Sequence, residues 1–298
     1  MNILETKRLS FAYKNKAVLK GVDLMIPKGS IYGYLGKNGA GKTTTIKLLL
    51  GLLSTKEKSI FFDNKEFNSN RVDILSHVGS LIETPCYYDD LNGIEHFEYL
   101  NIIFKQGRNR IQEVLDIVGL SEAQNVRVKK YSTGMRQRLG IAMAIFHNPD
   151  LLILDEPLNG LDPAGVHDIR EIMTRLKNDG KTILLSSHIL GEIEKTCTHV
   201  GILDKGELLY QGELTKLLSN VSRKIEIRTN NAQLALDLLQ QNSIKSDILN
   251  DSIITVYINS DTDYNRAISL FVNSKVEIYS VDNKENDLES VYLNLISK

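Results

Sequence analysis

The sequence predicts an α/β fold: a parallel sheet that carries a phosphate-binding loop, a helical insertion, and a small α+β domain behind it. Three observations predict this. The glycine-rich stretch Gly36-Lys37-Asn38-Gly39-Ala40-Gly41-Lys42-Thr43 stands between an apolar strand and the start of a helix. The continuous apolar run Leu151 to Leu154 ends in two carboxylates, Asp155 and Glu156, and such runs belong to strands buried on both faces of a parallel sheet. Strand-like and helix-like patterns alternate again after that run.

In chain order, Phe11 to Tyr13, Val22 to Ile26 and Ser30 to Leu35 are predicted strands, with a turn at Pro27-Lys28-Gly29. The glycine loop opens a helix from Lys42 to about Leu50, and Ser59 to Phe62 and His77 to Ile82 are further strands. From about 84 to 148 the period changes. Gly93 to Phe104, Arg110 to Val118 and Met135 to Phe146 repeat apolar residues at helical spacing. This block is a helical insertion. Ala164 to Leu176 is a helix with Pro163 near its start, where proline is tolerated. Thr182 to Ser186 is a strand and Ile189 to Thr196 a helix. Val200 to Leu203 and Glu207 to Gln211 form a hairpin around Lys205-Gly206. Residues 1–220 are therefore expected to be one domain and 221–298 a second. The second alternates strand and helix three times: Lys224 to Arg228, Ala232 to Leu239, Ile253 to Ile258, Tyr264 to Val272, Val276 to Val281 and Leu288 to Ile296.

Composition narrows the function classes. Of 298 residues, 42% are hydrophobic and 24% charged, enough apolar material for a sizeable core. Lys and Arg number 36 against 37 Asp and Glu, a net charge of -1 that carries no electrostatic footprint for nucleic acid. The cysteines Cys86 and Cys197 are a distant pair, expected as free thiols in a reducing compartment. The first residues lack the apolar core of a secretory signal. The most apolar stretch, Ile46 to Leu53, falls far short of the roughly 18–20 residues of a spanning helix. A soluble or peripheral chain is expected.

The glycine loop fits G-x-x-x-x-G-K-[ST] in full and lies in the strand-loop-helix context that makes the pattern a P-loop. Glycines let backbone N–H groups curl around phosphate oxygens, and the helix N-terminus adds its partial positive charge. Gly36, Lys37, Asn38, Gly39, Ala40, Gly41, Lys42, Thr43 and Thr44 are the candidate ATP-binding residues. Lys42 is expected on the β- and γ-phosphates and Thr43 on Mg²⁺. At the end of the apolar run, Asp155 is expected to hold the metal through water. Glu156 is expected to orient and polarise the attacking water. The other histidines, such as His77 and His147, show no metal-ligand spacing and are expected to be structural or on the surface.

With these residues in place, roughly residues 1–215 resemble the ABC (ATP-binding cassette) ATPase family. Tyr131-Ser132-Thr133-Gly134-Met135 stands where that family has its LSGGQ signature. The resemblance implies head-to-tail pairing with a second copy or a paralogous ATPase subunit, so that Ser132 and Gly134 meet the γ-phosphate held by the opposite subunit. It also implies a D-loop at Leu161-Asp162, a switch histidine at His188 that contacts the γ-phosphate, and adenine stacking by Tyr13.

Two departures stand out. Glu83 occupies the place of the usual Gln, which senses the metal and the attacking water. A Glu there, with the Ile-Glu-Thr-Pro stretch and the C-terminal domain, is similar to the ATPases of lantibiotic self-protection and bacitracin-type export. The signature has Thr133 for a Gly and Met135 for Gln, which puts turnover in doubt more than nucleotide binding, and slow basal hydrolysis is expected without a partner. The resemblance therefore implies a motor that powers an exporter of peptide antibiotics or drugs. Its membrane permease subunits would be separate chains, since this one holds no spanning segment. The chain would sit in the cytoplasm, peripherally on the inner face of the plasma membrane. The alternative is a soluble ABC ATPase acting on ribosomes or nucleic acid. Against it stand one P-loop, no sustained heptads and no block of like charge. A small-molecule kinase is the third class, opposed by the signature stretch and His188.

Overall fold

In the computed structural model, residues 1–55, 58–83, 87–219, 223–258, 261–274, 276–284 and 287–296 are described. Cys86, the Thr84-Pro85 stretch and the expected domain boundary at 220/221 lie outside these residues. Short strands β1 (Asn2–Thr6), β2 (Leu9–Tyr13), β3 (Lys16–Val22) and β4 (Met25–Pro27) lead to β5 (Ile31–Leu35), which runs through the glycine loop into helix α1 (Lys42–Leu49). The strand expected over Val22 to Ile26 is broken. Thr6 is the reason: its hydroxyl donates to the Val22 carbonyl (2.7 Å) and accepts from the Leu24 amide (2.8 Å). That diverts the chain, so β3 pairs with β2 and β4 with β1. β6 (Ile60–Phe62) and β7 (Lys65–Glu66) complete an antiparallel sheet in the order β4-β1-β6-β7.

After α2 (Arg71–Leu75) and β8 (Val78–Leu81) come the three insertion helices α3 (Gly93–Phe104), α4 (Arg108–Ile117) and α5 (Thr133–Ile145). Asn92 and Glu95 form a reciprocal capping box at the start of α3. Arg110 donates to the carbonyls of Ile145 (2.7 Å) and Phe146 (3.0 Å), satisfying the open end of α5. The tilted ring pair Phe97 and Phe146, 5.3 Å apart, joins α3 to that same end.

The chain then alternates through β9 (Leu151–Asp155), α6 (Pro163–Asn178), β10 (Thr182–Ser187), α7 (Leu190–Thr196), β11 (His199–Asp204) and β12 (Glu207–Glu213). The six-stranded sheet has the order β12-β11-β5-β10-β9-β8, parallel except for the β11–β12 hairpin. Every residue of β5, β9 and β10 is buried, as a sheet covered on both faces requires. Register positions the chemistry. Leu35 stands opposite Ser187, and Ser186 opposite Asp155. The glycine loop, both carboxylates and His188 thus leave the carboxyl ends of three adjacent strands, where open α/β sheets bind their ligands.

The polypeptide divides into the compact units Met1–Leu214 and Thr215–Lys298. Helix α8 (Leu214–Ser219) spans that division, and the second unit continues with β13 (Arg223–Thr229), α9 (Ala232–Gln241), β14 (Ser246–Asn250), β15 (Ile253–Ile258), α10 (Asp261–Asn273), β16 (Ile278–Lys284) and α11 (Leu288–Ile296). Its sheet is antiparallel with the order β14-β15-β13-β16. Up to β16 this is a ferredoxin-like βαββαβ unit. Ile225, Ile227, Ile254 and Val256 share a core with Ala235 and Leu239 of α9 and with Ala267 and Phe271 of α10. Strand β14 is absent from the sequence expectation. It is an edge strand with four of five residues exposed, so it has no buried alternation to reveal it.

Candidate active site

The loop backbone is shaped by its glycines. Gly41 has φ 117°, a region side chains rarely adopt. A Cβ on Gly36 would lie 2.5 Å from the carbonyl oxygen of Leu203. Gly36 and Ala40 are buried, Lys37, Asn38 and Gly39 are exposed, and Thr43 and Thr44 are half-buried on the first turn of α1. The helix has no acidic residue in that first turn, leaving its amides and partial positive charge to an anion.

Lys42 is only 6% exposed, and a buried ammonium needs partners. It donates to the Gly36 carbonyl (2.6 Å) and forms an ion pair with Glu156 (3.4 Å). The other Glu156 oxygen faces Nδ1 of His188 at 2.9 Å. Glu156 itself has φ 49°, a strained conformation for a residue with a side chain. The carboxylate therefore bridges the loop lysine and the histidine at the strand ends.

Asp155 is buried beside it. Ser186 fixes both acids, a role that the sequence pattern does not assign. Its hydroxyl donates to Asp155 Oδ1 (2.5 Å) and accepts from the Glu156 amide (2.9 Å). The available signal is weak: a serine ending an apolar strand, whose partners stand 30 and 31 residues away. Below the loop, Tyr34 is buried and its hydroxyl shares a hydrogen bond with Thr45 (3.2 Å), fastening β5 to α1. Burial pushes its ionisation well above the usual tyrosine range.

Among known proteins, residues 19–159 match the family described as ABC transporter. The chain is 38% identical over 298 residues to the bacitracin transport ATP-binding protein BcrA of Bacillus licheniformis, covering 99% of this chain and 97% of the relative. This chain belongs to the ABC transporter ATP-binding family. It is 39% identical over 211 residues to the lantibiotic transport ATP-binding protein SrtF of Streptococcus pyogenes, covering 71% and 91% of the two chains. A solved structure described as the ATP-binding subunit of an ABC transporter superposes with TM-score 0.66 at 30% identity, covering 73% of this chain and 92% of the other.

As a family member the chain binds ATP and hydrolyses it in support of transport. Among the described residues no helix is long and apolar enough to cross a membrane. The remaining candidate residues can be placed individually. Ser132 is the N-cap of α5 and accepts from the Met135 amide at 3.2 Å. Gly134 lies on the first turn of α5, with Leu161 the nearest side chain beyond that turn. Among the described residues, no hydrogen bond or ion pair joins Ser132 or Gly134 to the glycine loop of the same chain. Asp162 caps α6, accepting from Gly165 at 2.8 Å. Tyr13 ends β2, 47% exposed, held edge-on against Phe11 with ring centres 4.9 Å apart. Glu83 leaves β8 at φ 54° and pairs with Lys47 of α1 at 2.7 Å. That hydrogen bond raises the ionisation of the lysine against partial desolvation, with smaller contributions from the carboxylate charges of Glu83 and Asp155.

His77 forms an exposed pair with Asp150 (3.2 Å). His147 contacts the Val78 carbonyl (3.2 Å) and stacks on Phe104. Among the described residues, no group of three or more His, Cys, Asp or Glu could hold an ion. Cys197 is free and buried, and burial pushes its thiol well above the usual range.

Proposed function

We propose that this chain is the ATP-hydrolysing motor of an exporter of peptide antibiotics, acting on permease subunits made as separate chains. The observation that carries this reading is the full-length likeness to a bacitracin transport ATP-binding protein, which runs through both compact units. The lantibiotic transport relative supports the same substrate class over 71% of the chain.

Gly36 to Thr44 would wrap the phosphates, with Tyr13 against the adenine. Lys42 would exchange its contact with Glu156 for a phosphate oxygen. The donor set suits magnesium, a hard cation that takes few protein ligands and keeps part of its water. Thr43 offers a hydroxyl at the head of α1. Asp155 has Oδ1 engaged by Ser186 and Oδ2 left for the cation shell, and Glu83 is the third candidate. Bound there, the ion would neutralise charge on the phosphates. Glu156, released from Lys42 and still oriented by His188, polarises the attacking water and accepts its proton.

Ser132 and Gly134 would complete the site of a second copy, or of a paralogous ATPase subunit, across a head-to-tail dimer. Tyr88, Tyr99, Ile102 and Ile103 are large apolar residues exposed on and beside α3, and they suit docking of a permease segment. The chain would then lie on the cytoplasmic face of the membrane. The net charge of -1 supports no role on nucleic acid.

Co-purification tests the partner, and complementation tests the cargo. The tagged chain, taken from its host in mild detergent, is expected to bring down a multi-spanning protein in stoichiometric amount. A strain lacking the gene is expected to become sensitive to bacitracin-class peptides and to be rescued by the parent but not by Glu156→Gln. Recovery with ribosomes alone, or unchanged sensitivity, would refute the exporter.

A further inference from the structure

Of the three candidate metal-site residues, Glu83 is the one whose carboxylate is held by a lysine. Its carboxylate, 63% exposed, is held at 2.7 Å by Lys47, which is 32% exposed. Thr43 and Lys47 are four residues apart on α1, so their side chains share a face, about 5–6 Å apart at Cβ. Helical side chains lean toward the N-terminus, so the Lys47 ammonium reaches back along that face and holds Glu83 Oε1 beside the candidate metal position. The backbone before Glu83 is fixed by its strand. Leu81 is the last residue of β8 and pairs with Leu154 of β9, while Glu83 itself sits in the left-handed region. Beyond it, the Tyr87 hydroxyl donates to the Arg136 carbonyl on α5 (2.5 Å), and Asp90 pairs with Lys129 (2.6 Å). With Glu83 set just past the end of β8, a rotamer change is enough to turn its carboxylate from the lysine to a cation.

We propose that Lys47 is a positioning residue that competes with the metal for Glu83, occupying the carboxylate until the cation and nucleotide draw it away. The proposal rests on the reading of Thr43, Asp155 and Glu83 as the metal position. Lys47 touches neither nucleotide nor metal; it sets how available Glu83 is to the cation. Without the lysine, Glu83 would be a standing ligand, and metal binding would no longer have to break an ion pair first.

The test is a double-mutant cycle on the full chain, read by metal affinity rather than turnover. Mn²⁺ serves as the spectroscopic stand-in for magnesium. Its binding to the complex with a non-hydrolysable ATP analogue is followed by electron paramagnetic resonance. Lys47→Met is expected to tighten Mn²⁺ binding roughly two- to fivefold in the parent, the range an ion pair of this exposure supplies. In the Glu83→Gln background the same substitution is expected to change it little. Lys47→Arg, which keeps the pair, is expected to restore parental affinity, and metal-free nucleotide binding is expected to be equal in the parent and both Lys47 variants. An equal shift in both backgrounds would show a general charge effect and overturn the proposal, as would no shift in either. A parent that binds nucleotide but no Mn²⁺ would instead overturn the metal-site reading itself, and this proposal with it. Thermal melting of each variant separates misfolding from these outcomes, and Lys47→Arg keeps the comparison interpretable if Lys47→Met melts early.

Discussion

Replacing Ser186 with alanine isolates the one side chain that holds both acids of the site. The hydroxyl is fully buried and makes two hydrogen bonds, 2.5 Å to the Asp155 carboxylate and 2.9 Å from the Glu156 amide. A bond to a charged partner contributes roughly 1.5–3 kcal/mol, and an orphaned buried amide costs about 1–3 kcal/mol. The two terms share one cavity and do not add in full. The expected destabilisation is therefore roughly 2–4 kcal/mol. At about 2–4 °C per kcal/mol for a unit of this size, the transition of Met1–Leu214 should fall by roughly 4–16 °C in scanning calorimetry. Turnover should fall as well, because Asp155 and Glu156 lose their common anchor and geometry errors of a fraction of an ångström are costly in such sites. Ser186→Thr keeps the hydroxyl and is expected to recover much of both losses. Melting within about 1 °C of the parent, together with unchanged kcat, would refute the argument that this hydroxyl organises the acids.

Gly36→Ala places a methyl 2.5 Å from the Leu203 carbonyl. It is expected to cost roughly 1–3 kcal/mol of stability and to abolish measurable ATP binding in a fluorescent-nucleotide titration. Tyr13→Ala should weaken ATP by roughly 5–100-fold, the range of base stacking on an aromatic ring, while inorganic triphosphate affinity stays unchanged. Burial lowers the ionisation of His147 in the folded chain. The unfolded chain then binds more protons as pH falls through the ordinary histidine range near about 6.5, so stability should decline there. His147→Gln should flatten the drop in melting temperature between about pH 7.5 and 5.5, and an unchanged slope would remove His147 as its source.

The parts of the site that lie in one contiguous run are legible in the amino-acid sequence alone. Gly36 to Thr43 carries its own context, strand before and helix after, and Leu151 to Glu156 carries its apolar run and its acids. What is not legible depends on register. Ser186 meets Asp155 only because β10 and β9 are neighbours with those residues opposite each other. Lys47 meets Glu83 across 36 residues, a separation at which local pattern says nothing. The same distinction runs through the fold. Fully buried strands such as β9 and β10 announce themselves by continuous apolar sequence. β14 has four exposed residues and gives no such sign, and the break between β3 and β4 is made by Thr6, 16 residues before Val22.

The resting site also explains how a deeply placed lysine can wait for nucleotide. An uncompensated ammonium at the burial of Lys42 would cost several kcal/mol. Glu156 removes that cost by standing at 3.4 Å, with His188 on its other oxygen. In the proposed mechanism nucleotide binding would then exchange one anion for another at Lys42. The same event frees Glu156, the group proposed to activate water, so its release is coupled to the arrival of phosphate. At α1 the pattern repeats with Lys47 and Glu83. In both places a protein carboxylate occupies a lysine in the resting chain, and in both the carboxylate becomes available only when a competing charge enters. Under the proposed mechanism, hydrolysis in the isolated chain would be limited at both carboxylates. Glu156→Gln should separate these limits: it removes a charge from the Lys42 contact and the base from the reaction, so nucleotide affinity should be kept or rise while phosphate release falls roughly 10²–10⁴-fold.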